Sequence, residues 1–158
     1  MNYILSISKQ AIQEIDANDA VTAKTNFDNT YSYQAYQLLK EKSNLQNFFF
    51  AFELNGANLD DITHNLPEND YIIVVSLPET EDIFKMLYYD FADLIYYFDN
   101  ASDTELSEGG YRAIEIITNS CMSGKVTSNS ELIQANFEII RKDWIIKRCE
   151  YKDWRVGQ

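Results

Sequence analysis

The chain has 158 residues, 46% of them apolar and 14% aromatic, and a formal net charge of −12 at pH 7. That length and apolar content suit one folded domain with a real core and exclude disorder. The acidic balance disfavours nucleic acid and anionic lipid as direct ligands, because such a surface repels a polyanion and offers no counterion-release gain.

The first residues, MNYILSISKQ, lack a basic leader, a long apolar core and a small-residue cleavage site. They do not read as a signal peptide, and the expected location is cytoplasmic. Ser8 is placed to cap a first helix running through Ile12 and Ile15. A second helical stretch is expected over Tyr31 to about Leu54, although its end, Phe48–Leu54, also suits a strand. Asn55-Gly56 breaks that element. A short helix over Leu59–Asn65 follows, and Pro67 resets the chain. Tyr71–Ser76 is β-branched and short. It reads either as a buried strand, with Tyr3–Ile7 as its natural partner, or as a short core helix.

The longest helices are expected over Glu79–Phe98 and Ser128–Cys149. In the first, Pro78 precedes Glu79, Glu81 and Asp82, which oppose the positive end of a helix dipole. Ile83, Phe84, Leu87, Phe91, Leu94, Ile95 and Phe98 then recur at helical spacing. Between the two, a helix is expected from Ser107 to Cys121, closed by Gly124. Ser128 and Glu131 have capping-box spacing and lead into Leu132, Ile133, Phe137, Ile140 and Trp144. The segment Arg141–Arg155 is mildly basic and could touch the acidic middle of the chain. With two prolines, five glycines, no repeat and no linker, the expectation is a single domain, residues 1–158. Its class would be mainly α, a helical bundle with at most a small sheet, with α+β as the alternative. No apolar run is long enough to span a bilayer, so no membrane contact is expected. Cys121 and Cys149 are not a close-spaced pair and read as free thiols.

The acids are not spread evenly. Asp60–Glu108 contains thirteen acids and one base, Lys85, so this third of the chain carries the whole net charge. Such segregation makes a directional field that attracts a basic partner. On a helix over Glu79–Phe98, drawn at about 100° per residue, Asp82, Tyr89, Asp93 and Tyr96 fall opposite the apolar side. Met86, Asp90 and Tyr97 lie nearby. Tyrosines among carboxylates suit protein recognition: the rings give rigid contact area and the acids take basic side chains. The bland alternative is that another helix covers this stripe.

The segment Asp93-Leu94-Ile95-Tyr96-Tyr97 resembles the aspartate-leucine-isoleucine-tyrosine-tyrosine segment of the immunity proteins that neutralise nuclease colicins. An acidic loop and a helix follow in that family. Asp99, Asp103, Glu105 and Glu108 follow in this chain, then the expected helix from Ser107. Ser123-Gly124-Lys125 resembles the serine-glycine near the family's C-terminus. Phe98 stands where the family has proline, and this chain is far longer. The resemblance implies that Asp93, Tyr96 and Tyr97 contact a toxin's nuclease domain.

The expected function is therefore that of an acidic inhibitor, most concretely an immunity protein. Its candidate contact residues are Asp82, Tyr89, Asp90, Asp93, Tyr96, Tyr97, Asp99 and Asp103. A DNA mimic that antagonises a DNA-binding protein would use the same charge. A hydrolase would need a pocket lined by His64, the only histidine, and carboxylates. No nucleophile-base set, phosphate loop or calcium loop is visible, so no catalytic residue, metal or cofactor is expected.

Overall fold

A computed structural model describes residues 1–24, 33–54, 59–100, 115 and 132–156. Along these run β1 (Asn2–Ile7), α1 (Lys9–Asn18), β2 (Ala20–Thr22), α2 (Tyr33–Ser43), β3 (Phe49–Glu53) and α3 (Leu59–Asn65). They continue as β4 (Tyr71–Ser76), β5 (Phe84–Leu87), α4 (Tyr88–Asn100), β6 (Ile133–Phe137), β7 (Ile139–Arg141), a 3-10 turn (Lys142–Trp144), β8 (Ile145–Glu150) and α5 (Tyr151–Val156). The expected helix Ser107–Cys121 (Glu115 apart), the cap residues Ser128 and Glu131, the Asn55-Gly56 break and Cys121 lie outside the described residues.

Six strands form one antiparallel sheet in the order β5-β6-β3-β1-β4-β8, and β2 pairs with β7 in a small second sheet. This overturns the expectation of a mainly helical bundle: the fold mixes short helices with an extended sheet. The strand reading of Tyr71–Ser76 holds. β4 pairs with β1 along its whole length, from Asn2 opposite Ser76 to Ile7 opposite Tyr71.

Two expected helices contain strand. Of Glu79–Phe98, only Tyr88 onward is helical, and Phe84–Leu87 is the edge strand β5. Within Ser128–Cys149, the described residues form β6, β7, the 3-10 turn and most of β8. The helical period there comes from Leu132, Ile133, Phe137, Ile140 and Trp144, which the structure distributes from the residue before β6 through β6 and β7 to the 3-10 turn. β6 itself alternates apolar and polar residues, Ile133-Gln134-Ala135-Asn136-Phe137, as a strand does, and all five are buried. Gln134 and Asn136, two residues apart, share one face of the strand, point into the interior and bond to each other at 3.0 Å.

The sheet has two covered faces. On the first, Tyr3, Leu5, Ile7, Ile73, Val75, Ala135 and Phe137 pack against Ile12 and Ile15 of α1, Val21 and Ile140 of the small sheet, and Trp144. On the second, Ile4, Phe52, Ile72 and Val74 meet Ile62 and Leu66 of α3, with Tyr151 and Trp154 of α5 at the margin. Further along that second face, Met86 of β5 joins Ala35 and Leu39 of α2, Phe48, and Phe91 and Leu94 of α4. Ser8 caps α1 as its sequence predicts, accepting from the Ala11 N–H, and Asp19 closes the helix in the left-handed conformation. The acidic segment thus supplies one inner strand, one edge strand and two of the helices on the second face, α3 and α4.

Candidate functional site

The site grows from the first turn of α4. Tyr88 is half-buried and meets Phe52 and Phe50 of β3 edge-on, with ring centroids 5.1 and 6.0 Å away. The Tyr89 ring leans on Tyr88 at 5.4 Å. This chain of rings fixes the exposed tyrosine to the sheet. Burial pushes the Tyr88 hydroxyl above its ordinary pKa, with Tyr89 adding to the effect. The Tyr89 hydroxyl also accepts a long hydrogen bond, 3.4 Å, from Asn65 Nδ2 of α3, so the two acidic helices touch at this point.

Tyr89, Asp93 and Tyr96 are spaced i, i+4, i+7 and form one exposed ridge along α4. Tyr89 is 47% and Tyr96 70% exposed, which is unusual for large rings, whereas Phe91 and Leu94 on the opposite side are buried. No other described helix covers the ridge. Asp90, in the first turn, is half-buried and complements the helix dipole. Asp60 and Asp61 do the same for α3, and both are exposed, as are Glu68 and Asp70 in the loop that follows.

Asp82 lies apart. The helix begins at Tyr88, so Asp82 sits in the turn before β5 and cannot share the α4 ridge. It lines a cleft of about 610 Å³ with Glu81, Glu138, Thr22 and Asn44. Met86, placed near the tyrosines by a continuous helix, is instead fully buried in β5. Tyr97 and Asp99 belong to α4, but their side chains, like all of Asp103, lie outside the described residues.

Among the described residues, no ion pair compensates the acids of this region. Among the described residues, the ion pairs are Lys24–Glu14, Lys85–Glu53, Arg148–Asp16 and Lys152–Glu150, and none uses an acid between Asp60 and Asp93. The basic C-terminal stretch does meet the acidic segment, but not its acidic side chains: β8 pairs with β4, the Tyr151 N–H donates to the Asp70 carbonyl, and Arg148 lies over the Tyr71 ring at 5.9 Å. Its Arg148 turns to Asp16 of α1.

His64 is exposed at the end of α3, with Nδ1 2.7 Å from the Asp60 carbonyl oxygen. It lines neither the acidic cleft beside Asp82 nor the cavity behind α4. Among the described residues, no three His, Cys, Asp or Glu side chains are grouped to hold a metal ion, and no helix is long and apolar enough to cross a membrane. Cys149 is a free, half-buried thiol.

Sequence reasoning missed the cavity behind α4. Its walls come from β1, α2, β3, α3, α4 and β6 with the loop after α3, and its volume is about 390 Å³. The available signal was the pair Gln134 and Asn136 set inside an apolar run. No family model matches this chain, and neither does any curated protein or solved structure.

Proposed function

We propose that this protein is a cytoplasmic inhibitor that binds and masks a basic protein, most concretely an immunity protein against a nuclease-type toxin. The observation that carries this reading is the ridge of Tyr89, Asp93 and Tyr96 on α4, exposed and set among unpaired acids of α3 and α4. Two tyrosines give desolvated anchors, one of them braced against the sheet through Tyr88. The carboxylates would stand where substrate phosphates stand on the toxin and would form charge-assisted hydrogen bonds to its lysines and arginines. The resemblance of Asp93-Leu94-Ile95-Tyr96-Tyr97 to the colicin immunity segment falls on this ridge, with Leu94 and Ile95 turned to the core.

The experiment is a binding and inhibition screen. The purified chain is titrated by calorimetry against a panel of basic nuclease toxin domains and, separately, basic DNA-binding proteins that lack nuclease activity. Nanomolar binding that abolishes cleavage by one nuclease, and is lost in a Tyr89→Ala/Tyr96→Ala variant, is the expected result. Capture of the DNA-binding proteins with no effect on any nuclease would replace this reading with the DNA-mimic one. Inhibition unchanged in the double variant would reject the ridge.

A further inference from the structure

The cavity behind α4 and the exposed ridge are neighbouring faces of one helix. Tyr88, Phe91, Ala92 and Ile95 line the cavity at helical spacing. Tyr89, Asp93 and Tyr96 each stand one residue after Tyr88, Ala92 and Ile95, so the ridge lies about 100° round the helix from the cavity. Tyr88, Ala92 and Ile95 are half-buried, as are Tyr36 of α2 and Phe50 of β3, so part of the apolar wall is open to solvent. The rings brace one another: Tyr36 meets Phe91 edge-on at 5.6 Å, and Phe50 meets Tyr88 at 6.0 Å. The other bank is α3 and the loop after it, where Asn65, Pro67 and Asn69 line the opening. Asn65 ties the two banks together by donating to the Tyr89 hydroxyl. No charged side chain lines the cavity, but acids stand beside it on both banks. Asp61 is one turn before Asn65, Glu68 lies between Pro67 and Asn69, and Asp93 follows Ala92. All three are exposed, and none forms an ion pair among the described residues.

We propose that this cavity is an anchor pocket for one large aromatic side chain of the basic partner, flanked in the partner's sequence by lysine or arginine. The inference rests on the reading of this protein as an inhibitor of a basic protein, and it adds the chemistry of the segment that is gripped. The apolar wall selects the ring. A space of about 390 Å³ is within the range of small-molecule sites and holds an indole. Aromatic walls favour a ring met edge-on or offset. A charged group inside would be desolvated without a counter-ion, so the partner's bases stay at the rim. The acidic rim selects those bases. Asp61, Glu68 and Asp93 can take lysine or arginine by charge-assisted hydrogen bonds, whereas an acidic segment would meet like charge on both banks. A ring seated in a pocket and surrounded by polar contacts is the usual form of an interface hot spot. Walls that already brace one another lose little freedom when the ring enters.

The test titrates end-blocked pentapeptides into the full chain and follows them by NMR. Lys-Lys-Trp-Lys-Lys has both features, Lys-Lys-Ala-Lys-Lys keeps the charge without the ring, and Glu-Glu-Trp-Glu-Glu keeps the ring with the charge reversed. Indole is the further probe, a ring with no flank. Lys-Lys-Trp-Lys-Lys is expected to give saturable shifts at Tyr36, Phe50 and Ala92, and each of the others to bind about tenfold or more weakly. Ala92→Trp fills the space from α4. It should bring the affinity for Lys-Lys-Trp-Lys-Lys down to that for Lys-Lys-Ala-Lys-Lys with the remaining spectrum intact; if that variant does not fold, the probes on the parent chain still decide. The proposal is overturned by any of five results: no saturable shift with Lys-Lys-Trp-Lys-Lys, equal binding of the Trp and Ala peptides, equal binding of the basic and acidic peptides, indole alone binding as tightly as Lys-Lys-Trp-Lys-Lys, or undiminished binding in folded Ala92→Trp. None of these measurements uses a nuclease. Selective peptide binding with no toxin inhibited in the screen would keep the pocket and remove the toxin, whereas inhibition by a chain that binds no peptide would remove the pocket and keep the inhibitor.

Discussion

Lys85 is the one base in the acidic segment, and the fold turns it away from the acids nearest in sequence. From edge strand β5 it reaches across the first face of the sheet to Glu53 of β3, at 3.0 Å, and lies over the Tyr3 ring at 5.5 Å. The two charged side chains are only 25% and 11% exposed. Burial alone would lower the lysine, but its hydrogen bonds to Glu53 and Tyr3 outweigh burial and hold the ammonium above its usual pKa. Burial pushes the Tyr3 hydroxyl up too, against the lowering by Lys85. Both groups then keep their protons to higher pH in the folded chain than in the unfolded one. Their contribution is complete below the ordinary values of about 10 and is lost as pH rises through the raised folded values. Urea unfolding should show stability falling above about pH 10, and falling less in a Tyr3→Phe/Lys85→Met variant. At neutral pH, Lys85→Met should destabilise by about 2 kcal/mol, since it strands the nearly buried Glu53 carboxylate, and adding Glu53→Gln should recover part of that loss. Unchanged stability in Lys85→Met would show that the pair does nothing for the fold. Tyr96 makes the opposite case. Being 70% exposed, it should tolerate Ala with a stability change within about 0.5 kcal/mol, yet lose about 2 kcal/mol or more of partner affinity. Paired chemical denaturation and calorimetry separate the two effects.

At the scale of elements, α1 and α4 allow the clearest checks. Ser8→Ala removes the acceptor of the Ala11 N–H, leaves Asp70 Oδ2 accepting from the Lys9 N–H at 2.8 Å, and should cost about 1 kcal/mol in a denaturation experiment. On α4, Leu94→Ala should cost about 2–5 kcal/mol, while Asp93→Ala, one residue away on the exposed side, should stay within about 0.5. Similar losses from both would mean that the ridge faces the core. The same elements show which parts of the fold could be read from the chain. α1 was legible from Ser8 and the Ile12–Ile15 spacing, whereas the β-branched run of β4 suited a strand without excluding a short core helix. Three residues of the candidate site could be grouped from the sequence: Tyr89, Asp93 and Tyr96 share one face whether the helix starts at Glu79 or at Tyr88. Asp82 depended on the start point, and was placed on the wrong element. Ile83, Phe84 and Leu87 had supplied the helical period, yet Phe84 and Lys85 alternate across a strand. In β6 the alternation of Ile133, Ala135 and Phe137 with Gln134 and Asn136 was a strand signal, but the longer spacing of Leu132, Ile133, Phe137, Ile140 and Trp144 was read over it as a helix. The cavity was illegible for a further reason: its wall is assembled from six elements that only the fold brings together.

At the scale of the molecule, the question is why uncompensated acids are held on the second face of the sheet. The four ion pairs among the described residues neutralise charge elsewhere, while Asp60, Asp61, Asp90 and Asp93 on α3 and α4 have none. Like charges on adjoining helices repel, so the arrangement costs stability and needs a reason outside folding. If self-repulsion is present, the unfolding midpoint should rise when salt is added at constant pH, because counterions screen it. If the acids exist to steer a basic partner, association should respond to salt in the opposite sense. Raising ionic strength from ~20 mM to ~500 mM shrinks the Debye length from roughly 20 Å to about 4 Å, which removes long-range attraction but leaves contacts largely untouched. The association rate measured by stopped flow should then fall at least about tenfold, and the dissociation rate should change much less, because Tyr89 and Tyr96 would be desolvated in the complex. Asp60→Asn/Asp61→Asn/Asp93→Asn should reproduce the slow association at low salt while keeping the dissociation rate near that of the parent. An association rate indifferent to both salt and these substitutions would leave the charge without a kinetic role, and only the tyrosine anchors would remain to support the inhibitor reading.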